Sequence, residues 1–404
     1  MLVPVALLNY LDRQMLASMK FSVMRDVPDI GLEANWGAIL ALFKWVYAGL
    51  SPVGGYLSDR FSRRHVIAGS LLVWSAVTWA TGHVTRYDEL LVTRALMGVS
   101  EAFYIPAALA LIADVHRGGT RSRATGLHQM GIYLGVIAGG FGGYVADHPG
   151  LGWRWAFDAC GLVGIAYAAP LFILLGRTVP PRPAADAASG AAPSSSPLGA
   201  LRELLSNGSF LLLVAYFTLP ALAAWIVRDW MPAILKAEFG IGQGLAGVSA
   251  TLYWQLAAIV GAIGGGWLAD RWMRRSPRGR VYTSAISMAF LVPAMFGVGY
   301  APGTGQLWIA IAFLIVFGLG WGIFDGNNMP ILSQIVRPSL RATGYGIMNL
   351  VSISCGGFAD WGFGMLRDRH VPLFGIFGAF ASVAVLSALL VLLIRPRDTE
   401  SQSA

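Results

Sequence analysis

The composition of this chain excludes a soluble globular protein. Hydrophobic residues make up 56% of its 404 residues and charged residues only 12%, whereas a typical soluble domain has about 25% charged residues. The net charge of +8 is scattered over many short segments, which argues against a nucleic-acid-binding face. The two cysteines, Cys160 and Cys355, lie in apolar segments and predict neither a disulfide framework nor a metal site, and we expect no cofactor.

Apolar segments long enough to cross a bilayer recur along the whole chain. A membrane-spanning helix needs about 20 mostly apolar residues. The sequence therefore predicts an all-α membrane protein with twelve transmembrane helices, at residues 3–22, 35–57, 66–82, 89–113, 123–145, 155–176, 208–231, 245–268, 281–300, 306–331, 342–366 and 372–394.

Arginine is concentrated in alternate loops between these spans. The opposite loops are poorer in basic residues, and the positive-inside rule places the arginine-rich set in the cytoplasm. We therefore expect a multi-pass protein of the bacterial cytoplasmic (inner) membrane with both termini in the cytoplasm. The arginine-rich loops contain Arg60, Arg63 and Arg64, then Arg117, Arg121 and Arg123, then Arg177, Arg182 and Arg202, then Arg271, Arg274, Arg275, Arg278 and Arg280, then Arg337 and Arg341, and finally Arg395 and Arg397.

A Pro-, Ala- and Ser-rich stretch at residues 180–200 separates the first six spans from the last six. Such a composition has no apolar periodicity and is typical of a flexible connector. We predict an N-terminal six-helix half at residues 1–179, a cytoplasmic linker at 180–204, a C-terminal six-helix half at 205–396 and a cytoplasmic tail at 397–404.

One motif occurs at the same place in both halves. Its glycine lets a helix end approach a neighbour, and its aspartate can cap or pair at a helix terminus while the arginines hold the loop in the cytoplasm. Two copies in register indicate an internal duplication. As residues of a gating motif we single out Gly55, Asp59, Arg60 and Arg64 in the first half and Gly266, Asp270 and Arg271 in the second.

Both copies resemble the signature cytoplasmic loop of the major facilitator superfamily, G-x-x-x-D-R-x-G-R-R, although Ser62 replaces its usual glycine in the first copy. The segments Arg94–Gly98 (R-x-x-x-G) and Trp153–Phe157 (WRW-x-F) and the glycine-rich fifth span resemble further motifs of that superfamily. The resemblance covers nearly the whole chain. It implies two six-helix halves with pseudo-twofold symmetry, whose relative movement exposes a central site to each side of the membrane in turn. It also implies a transporter rather than an enzyme.

The first and fourth spans resemble two subfamilies equally. The run Asn9-Tyr-Leu-Asp12-Arg13, together with Arg94 and Glu101, is similar both to the organic anion symporters, which include the sugar-acid and sialin-like carriers, and to the Spinster-type lysolipid and sphingolipid transporters. The resemblance therefore implies proton-coupled transport of a small organic anion or sugar acid, with an amphiphile such as a lysolipid as the alternative.

Ionisable residues within the predicted spans are the main functional candidates, because each costs at least ~2.5–3.5 kcal/mol at bilayer depth. Arg94 and Glu101 are two helical turns apart and share one face. Pairing of Asp12 with Arg94, or of Glu101 with Arg13, is expected. A single buried charge can also be a purely structural ion pair.

The residue types predict a coupling mechanism. A buried carboxylate favours its protonated form, and a neighbouring arginine favours the charged form. Substrate that binds the arginine then lets the carboxylate take a proton. We predict Asp12 and Glu101 as proton-coupling residues, and as substrate-binding candidates Arg13, Lys44, Tyr47, Arg94, Tyr104, His128, Gln129, Asp325 and Asn328.

Other classes of protein find no support in the residues. The chain has no G-x-S-x-G, no H-E-x-x-H and no P-loop, and its histidines are dispersed. We therefore expect no enzyme, and a monomer whose partners are a small, anionic substrate, protons and the lipid bilayer.

Overall fold

The computed structural model describes residues 1–116, 119–178 and 197–396, with the side chains of residues 55–60, 119, 122, 177, 178, 197 and 339 outside that description. Most of the predicted linker and the predicted tail at 397–404 therefore lie outside the described residues. The described helices are α1 (Leu2–Ser18), α2 (Lys20–Asp26), α3 (Glu33–Arg60), α4 (Arg63–Thr81), α5 (Tyr87–Glu101), α6 (Tyr104–Val115), α7 (Gly119–Gly140), α8 (Gly142–Asp147), α9 (Gly152–Thr178), α10 (Pro197–Ser206), α11 (Gly208–Phe239), α12 (Gln243–Met273), α13 (Gly279–Tyr300), α14 (Leu307–Ile335), α15 (Arg341–Asp368) and α16 (Leu373–Leu392).

These sixteen helices of the described residues account for the twelve predicted spans. Three spans are each built from two consecutive helices: α1 with α2, α5 with α6, and α7 with α8. The short helix α10 lies in the C-terminal part of the predicted linker. Its apolar residues Leu198, Leu201 and Leu205 recur at helical spacing and are exposed, as in an amphipathic helix at a membrane surface.

Eight of the spans are long and apolar enough to cross a membrane by length and composition alone. The other four, formed by α1 with α2, α4, α7 with α8, and α15, contain more polar side chains. Among these are Asp12 on α1, Thr78 on α4, His128 on α7 and Asp360 on α15, all of them buried. Polar residues buried inside a membrane protein are concentrated where it functions.

The contacts divide the chain into two compact units. The first comprises Met1–Gly190, Arg228–Thr251 and Asp360–Arg369. The second comprises Ala191–Val227, Leu252–Ala359 and His370–Ala404. The first unit thus includes one end of α11, of α12 and of α15 in addition to the six N-terminal spans. The predicted half and linker boundaries themselves stay a prediction.

In the first unit a row of glycines on α7 lets its backbone touch that of α1. A Cβ atom added at Gly131, Gly135 or Gly139 would lie 2.3–2.8 Å from a carbonyl oxygen of α1. Small residues spaced four apart allow membrane helices to approach this closely. The packing fixes α1, and with it Asp12 and Arg13, against the rest of the unit.

The second unit is built by the same principle. A Cβ atom at Gly318 of α14 would lie 2.2 Å from the carbonyl oxygen of Trp254, and one at Gly322 would lie 2.0 Å from that of Ala258. The backbones of α12 and α14 are therefore in contact. In the same unit the hydroxyl of Tyr216 donates to the carbonyl oxygen of Ser284 at 3.2 Å.

Candidate functional site

Four charged side chains of α1 and α5 form a buried cluster in the first unit. Asp12, Arg94 and Glu101 are at most 3% exposed, and the Arg13 side chain is 12% exposed. Arg13 and Glu101 form an ion pair, in which the guanidinium donates to Glu101 Oε2. We call these four residues the charge cluster.

Aromatic rings surround the guanidinium of Arg13. Its Cζ lies 4.8 Å from the ring centre of Tyr10, 4.7 Å from that of Phe43 and 5.0 Å from that of Tyr47. Each ring face attracts a cation, and the attraction is stronger where water is excluded. Arg13 is therefore held by one carboxylate and three π-faces. The predicted site residue Tyr47 belongs to this aromatic wall.

Helix α4 completes the cluster with two threonines. The Thr78 hydroxyl donates to Asp12 Oδ2 at 3.0 Å, and Arg94 Nη2 donates to Thr81 Oγ1 at 2.9 Å. Both threonines are buried. Neither threonine was predicted as a site residue from the sequence. The signal that could have identified them is their spacing of three, which puts both hydroxyls on one face of a span.

The cluster is electrically balanced, since Asp12 and Glu101 oppose Arg13 and Arg94. Within the described residues Asp12 Oδ1, Glu101 Oε1 and Arg94 Nε nevertheless have no hydrogen-bond partner. Buried polar atoms are rarely left unpaired. The charge cluster therefore retains capacity to bind a proton, water or a polar ligand.

The structure places Lys44 in a different group. Its ammonium forms ion pairs with Asp229 of α11 and Asp360 of α15, both of which belong to the same unit. Lys44 is 3% exposed and Asp360 fully buried. Lys44 was predicted as a substrate-binding residue, and neither carboxylate was predicted as its partner.

Tyr104 and His128 contact each other near Leu2, at the N-terminal end of α1. The hydroxyl of Tyr104 is 3.0 Å from Nε2 of His128 and donates to the carbonyl oxygen of Leu2 at 3.2 Å. Because this hydroxyl proton goes to Leu2, Nε2 of His128 is the donor in the other bond. The neighbouring Gln129 is half-buried.

The remaining candidates on α14 belong to the second unit. Asp325 is exposed, whereas Asn328 is buried. The oxygen and nitrogen of the Asn328 side chain have no hydrogen-bond partner among the described residues. An unpaired buried amide and a neighbouring carboxylate make this stretch of α14 a polar site of its own.

The two copies of the gating motif are described to different extents. In the first copy the side chains of Asp59 and Arg60 and the surroundings of Gly55 lie outside the described residues. Arg64 stacks over the ring of Phe172 at 4.0 Å. In the second copy, which begins at Gly266, Asp270 accepts from Arg280 at 3.1 Å and Arg271 lies 5.7 Å from the ring of Trp267.

Comparison with known proteins gives a family and a set of relatives. The family model described as "Major Facilitator Superfamily" matches residues 2–359. Protein spinster homolog 1 of Mus musculus is 28% identical over 389 residues, which cover 90% of this chain and 71% of the mouse protein. An MFS-type efflux pump of Mycolicibacterium smegmatis is 27% identical over 369 residues, or 90% of this chain and 82% of that protein.

Solved structures agree on the fold. A bacterial homolog of the human lysosomal transporter Spinster, in an inward-facing and occupied conformation, superposes with a TM-score of 0.78 at 18% identity, covering 97% of this chain and 95% of that one. A D-xylose–proton symporter gives a TM-score of 0.74 at 18% identity, covering 98% of this chain and 96% of the other. These similarities confirm the predicted twelve-helix fold. With the family match over most of its length, the chain belongs to the Major Facilitator Superfamily of membrane transporters.

Proposed function

We propose that this protein couples the movement of an organic anion to that of protons. The observation that carries the proposal is the buried ion pair between Arg13 and Glu101 inside the charge cluster. A guanidinium can bind a carboxylate or phosphate group, and a buried carboxylate can hold a proton. The charge cluster places one residue of each kind in direct contact.

The mechanism follows from competition for the arginine. An anionic substrate that binds Arg13 weakens its pairing with Glu101, and Glu101 then takes a proton, with Asp12 as relay. Loss of the proton restores the ion pair and displaces the substrate. The aromatic wall keeps Arg13 oriented during the exchange, and Arg94 supplies a second guanidinium. Movement of the two six-helix halves around the site then carries both ligands across the membrane.

Two kinds of cargo fit this chemistry. A small organic anion or sugar acid presents one carboxylate to Arg13. An amphiphile such as a lysolipid presents an anionic headgroup to the same residue. The second cargo is favoured by the Spinster proteins among the relatives in both sequence and structure. The remaining candidates contribute contacts to the cargo: Tyr104, His128 and Gln129 near the N-terminal end of α1, and Asp325 and Asn328 on α14.

The proposed setting is the bacterial cytoplasmic membrane, where the protein acts as a monomer with both termini in the cytoplasm. The support is the arginine distribution, since arginine-rich loops remain on the cytoplasmic side. In this orientation the N-terminus of α3 and the C-terminus of α15 face the outside.

Uptake into proteoliposomes tests the function. Vesicles containing the purified protein and given an inward proton gradient are expected to accumulate one member of a panel made of gluconate, glucuronate, lactate and lysophosphatidylglycerol. A protonophore is expected to abolish the accumulation, because the proton gradient is its energy source. Empty vesicles and vesicles without a gradient are the controls. Uptake of a panel member that proceeds unchanged with the protonophore would contradict proton coupling.

A further inference from the structure

The Lys44 group is built from three helices of the first unit. Lys44 of α3 contacts Oδ2 of Asp229 on α11 and Oδ2 of Asp360 on α15. Nε of Arg228 lies 4.0 Å from the other oxygen of Asp229, and its guanidinium also stacks over the ring of Tyr10 at 5.0 Å. The group thus contains two basic and two acidic side chains.

Around this group α3 and α15 are in backbone contact. A Cβ atom at Gly37 would lie 2.5 Å from the carbonyl oxygen of Asp360, and one at Gly364 would lie 2.3 Å from that of Glu33. The carboxylate of Asp368 accepts from the backbone N–H groups of Glu33 at 2.9 Å and Ala34 at 2.8 Å, so it caps the start of α3. We call this contact, between residues 33–44 of α3 and 360–368 of α15, the α3–α15 seam.

Alternating access requires this seam to open. Residues 33–44 belong to the N-terminal six spans and residues 360–368 to the C-terminal six, and both stretches are at helix ends that the arginine distribution places outside. In transporters built of two such sets of spans, each side of the membrane opens in turn as the sets move apart. Opening here separates Lys44 from Asp360.

Separation affects the two carboxylates differently. Asp229 retains a neighbouring cation after separation, because Arg228 is the residue before it on the same helix. Asp360 is fully buried, and within the described residues its Oδ1 has no hydrogen-bond partner. A buried carboxylate without its cation is strongly destabilised, and binding a proton removes the charge. Opening also brings protons to Asp360 from the outer solution.

We propose that Asp360 is a second proton-binding site, separate from Glu101, and that its protonation opens the α3–α15 seam. The groups that face it are Lys44 from α3 and Asp229, followed by Arg228, from α11. When Asp360 is ionised, its ion pair with Lys44 holds the seam closed. When Asp360 is protonated, a closed seam would bury Lys44 with one carboxylate fewer, so the open arrangement is favoured. The seam therefore responds to pH on the outer side, whatever the cargo.

Distance measurements across the seam test the proposal. The exposed residues Leu32 and Arg369 flank it, and spin labels at Leu32→Cys and Arg369→Cys report its opening. Cys160→Ala and Cys355→Ala remove the native thiols. The labelled full chain in lipid nanodiscs is measured by double electron–electron resonance from about pH 8 to about pH 5. We expect the open fraction to rise on acidification, and linkage of one proton gives up to about a tenfold change in the open-to-closed ratio per pH unit.

Variants of the group distinguish a proton site from a structural ion pair. Asp360→Asn removes the titrating group, so the seam is expected to open at every pH with no dependence on acidification. Lys44→Met is expected to reverse the response, because a closed seam then buries Asp360 without its cation and only protonation neutralises it. Asp368→Asn is the matched control in the same seam. It weakens the cap of α3 and is expected to raise the open fraction while retaining the rise on acidification.

Two results would overturn the proposal. One is an open fraction of the unsubstituted seam that stays constant across the pH range while Asp360→Asn raises it, which would make the group a structural pair. The other is a pH response that survives Asp360→Asn. The distance measurements are made without any substrate, so their outcome is independent of the uptake experiment.

Discussion

Replacing Glu101 by glutamine is expected to abolish proton-driven accumulation of the cargo while leaving exchange of cargo across the membrane intact. Glutamine has the shape of a protonated glutamate and cannot ionise. The variant therefore carries the uncharged form of residue 101 at every stage of transport. It can release Arg13 to the substrate but can neither take up nor lose a proton.

The two modes of transport separate these effects. Accumulation needs one proton to bind and leave in each cycle. Exchange of labelled for unlabelled cargo needs only that the loaded protein opens its binding site to one side of the membrane and then to the other. For the panel compound that the unsubstituted protein transports, we expect Glu101→Gln to reduce gradient-driven uptake to the level of empty vesicles. The exchange rate should stay within about threefold of that of the unsubstituted protein, a difference of less than 1 kcal/mol.

Asp88→Asn is the matched control, because it also neutralises one carboxylate of α5, in the first turn of that helix. Asp88 pairs with Arg86 and both side chains are more than 60% exposed, and an exposed ion pair of this kind contributes about 0–1 kcal/mol. Uptake by this variant should equal that of the unsubstituted protein. If Glu101→Gln accumulates cargo with the full dependence on the proton gradient, the coupling proton is bound elsewhere, and Asp12 becomes the residue to replace.

The fold could be predicted from the sequence because the bilayer imposes a simple rule. Twelve apolar stretches and a duplicated motif determine the fold, and the structural relatives confirm it. The break near Ala102 has a local cause, because Pro106 has no N–H to donate to the carbonyl oxygen of Ala102 and its ring clashes with that carbonyl. The breaks near Met19 and Phe141, where a span continues as a second helix, could not be predicted. No proline lies in the turn that follows either of them, so they depend on contacts between helices.

The candidate site could be predicted in part. Arg94 and Glu101 share a face by their spacing, and the pairing of Arg13 with Glu101, which the structure shows, was expected because a charge within an apolar span needs a partner. Lys44 depends on partners 185 and 316 residues away in sequence. Nothing in the residues around Lys44 distinguishes a lysine that meets Asp229 and Asp360 from one that lies beside Arg13. That choice is made by the packing of three helices.

Gly135→Ala is expected to destabilise the fold, and of all single-methyl changes in the first unit it is among the most damaging. The added Cβ would lie 2.3 Å from the carbonyl oxygen of Leu7 and 3.1 Å from its Cα. Both are backbone atoms, so no side-chain rotation relieves the overlap, and α1 must move away from α7. Forcing extra atoms into a packed interior typically costs about 1–3 kcal/mol, and here the displaced helix carries Asp12 and Arg13.

Gly126→Ala on the same helix is the control, because nothing lies within 4 Å of a Cβ atom at that position. Alanine is favoured over glycine in a helix by about 1 kcal/mol, so this variant should melt at the same or a higher temperature. The midpoints of thermal unfolding of the two variants in detergent, followed by loss of the monodisperse chromatographic peak, check the pair. If Gly135→Ala is as stable as Gly126→Ala, the close contact between α1 and α7 does not exist in the membrane. The placement of Asp12 and Arg13 against Glu101, which depends on that contact, would then be wrong as well.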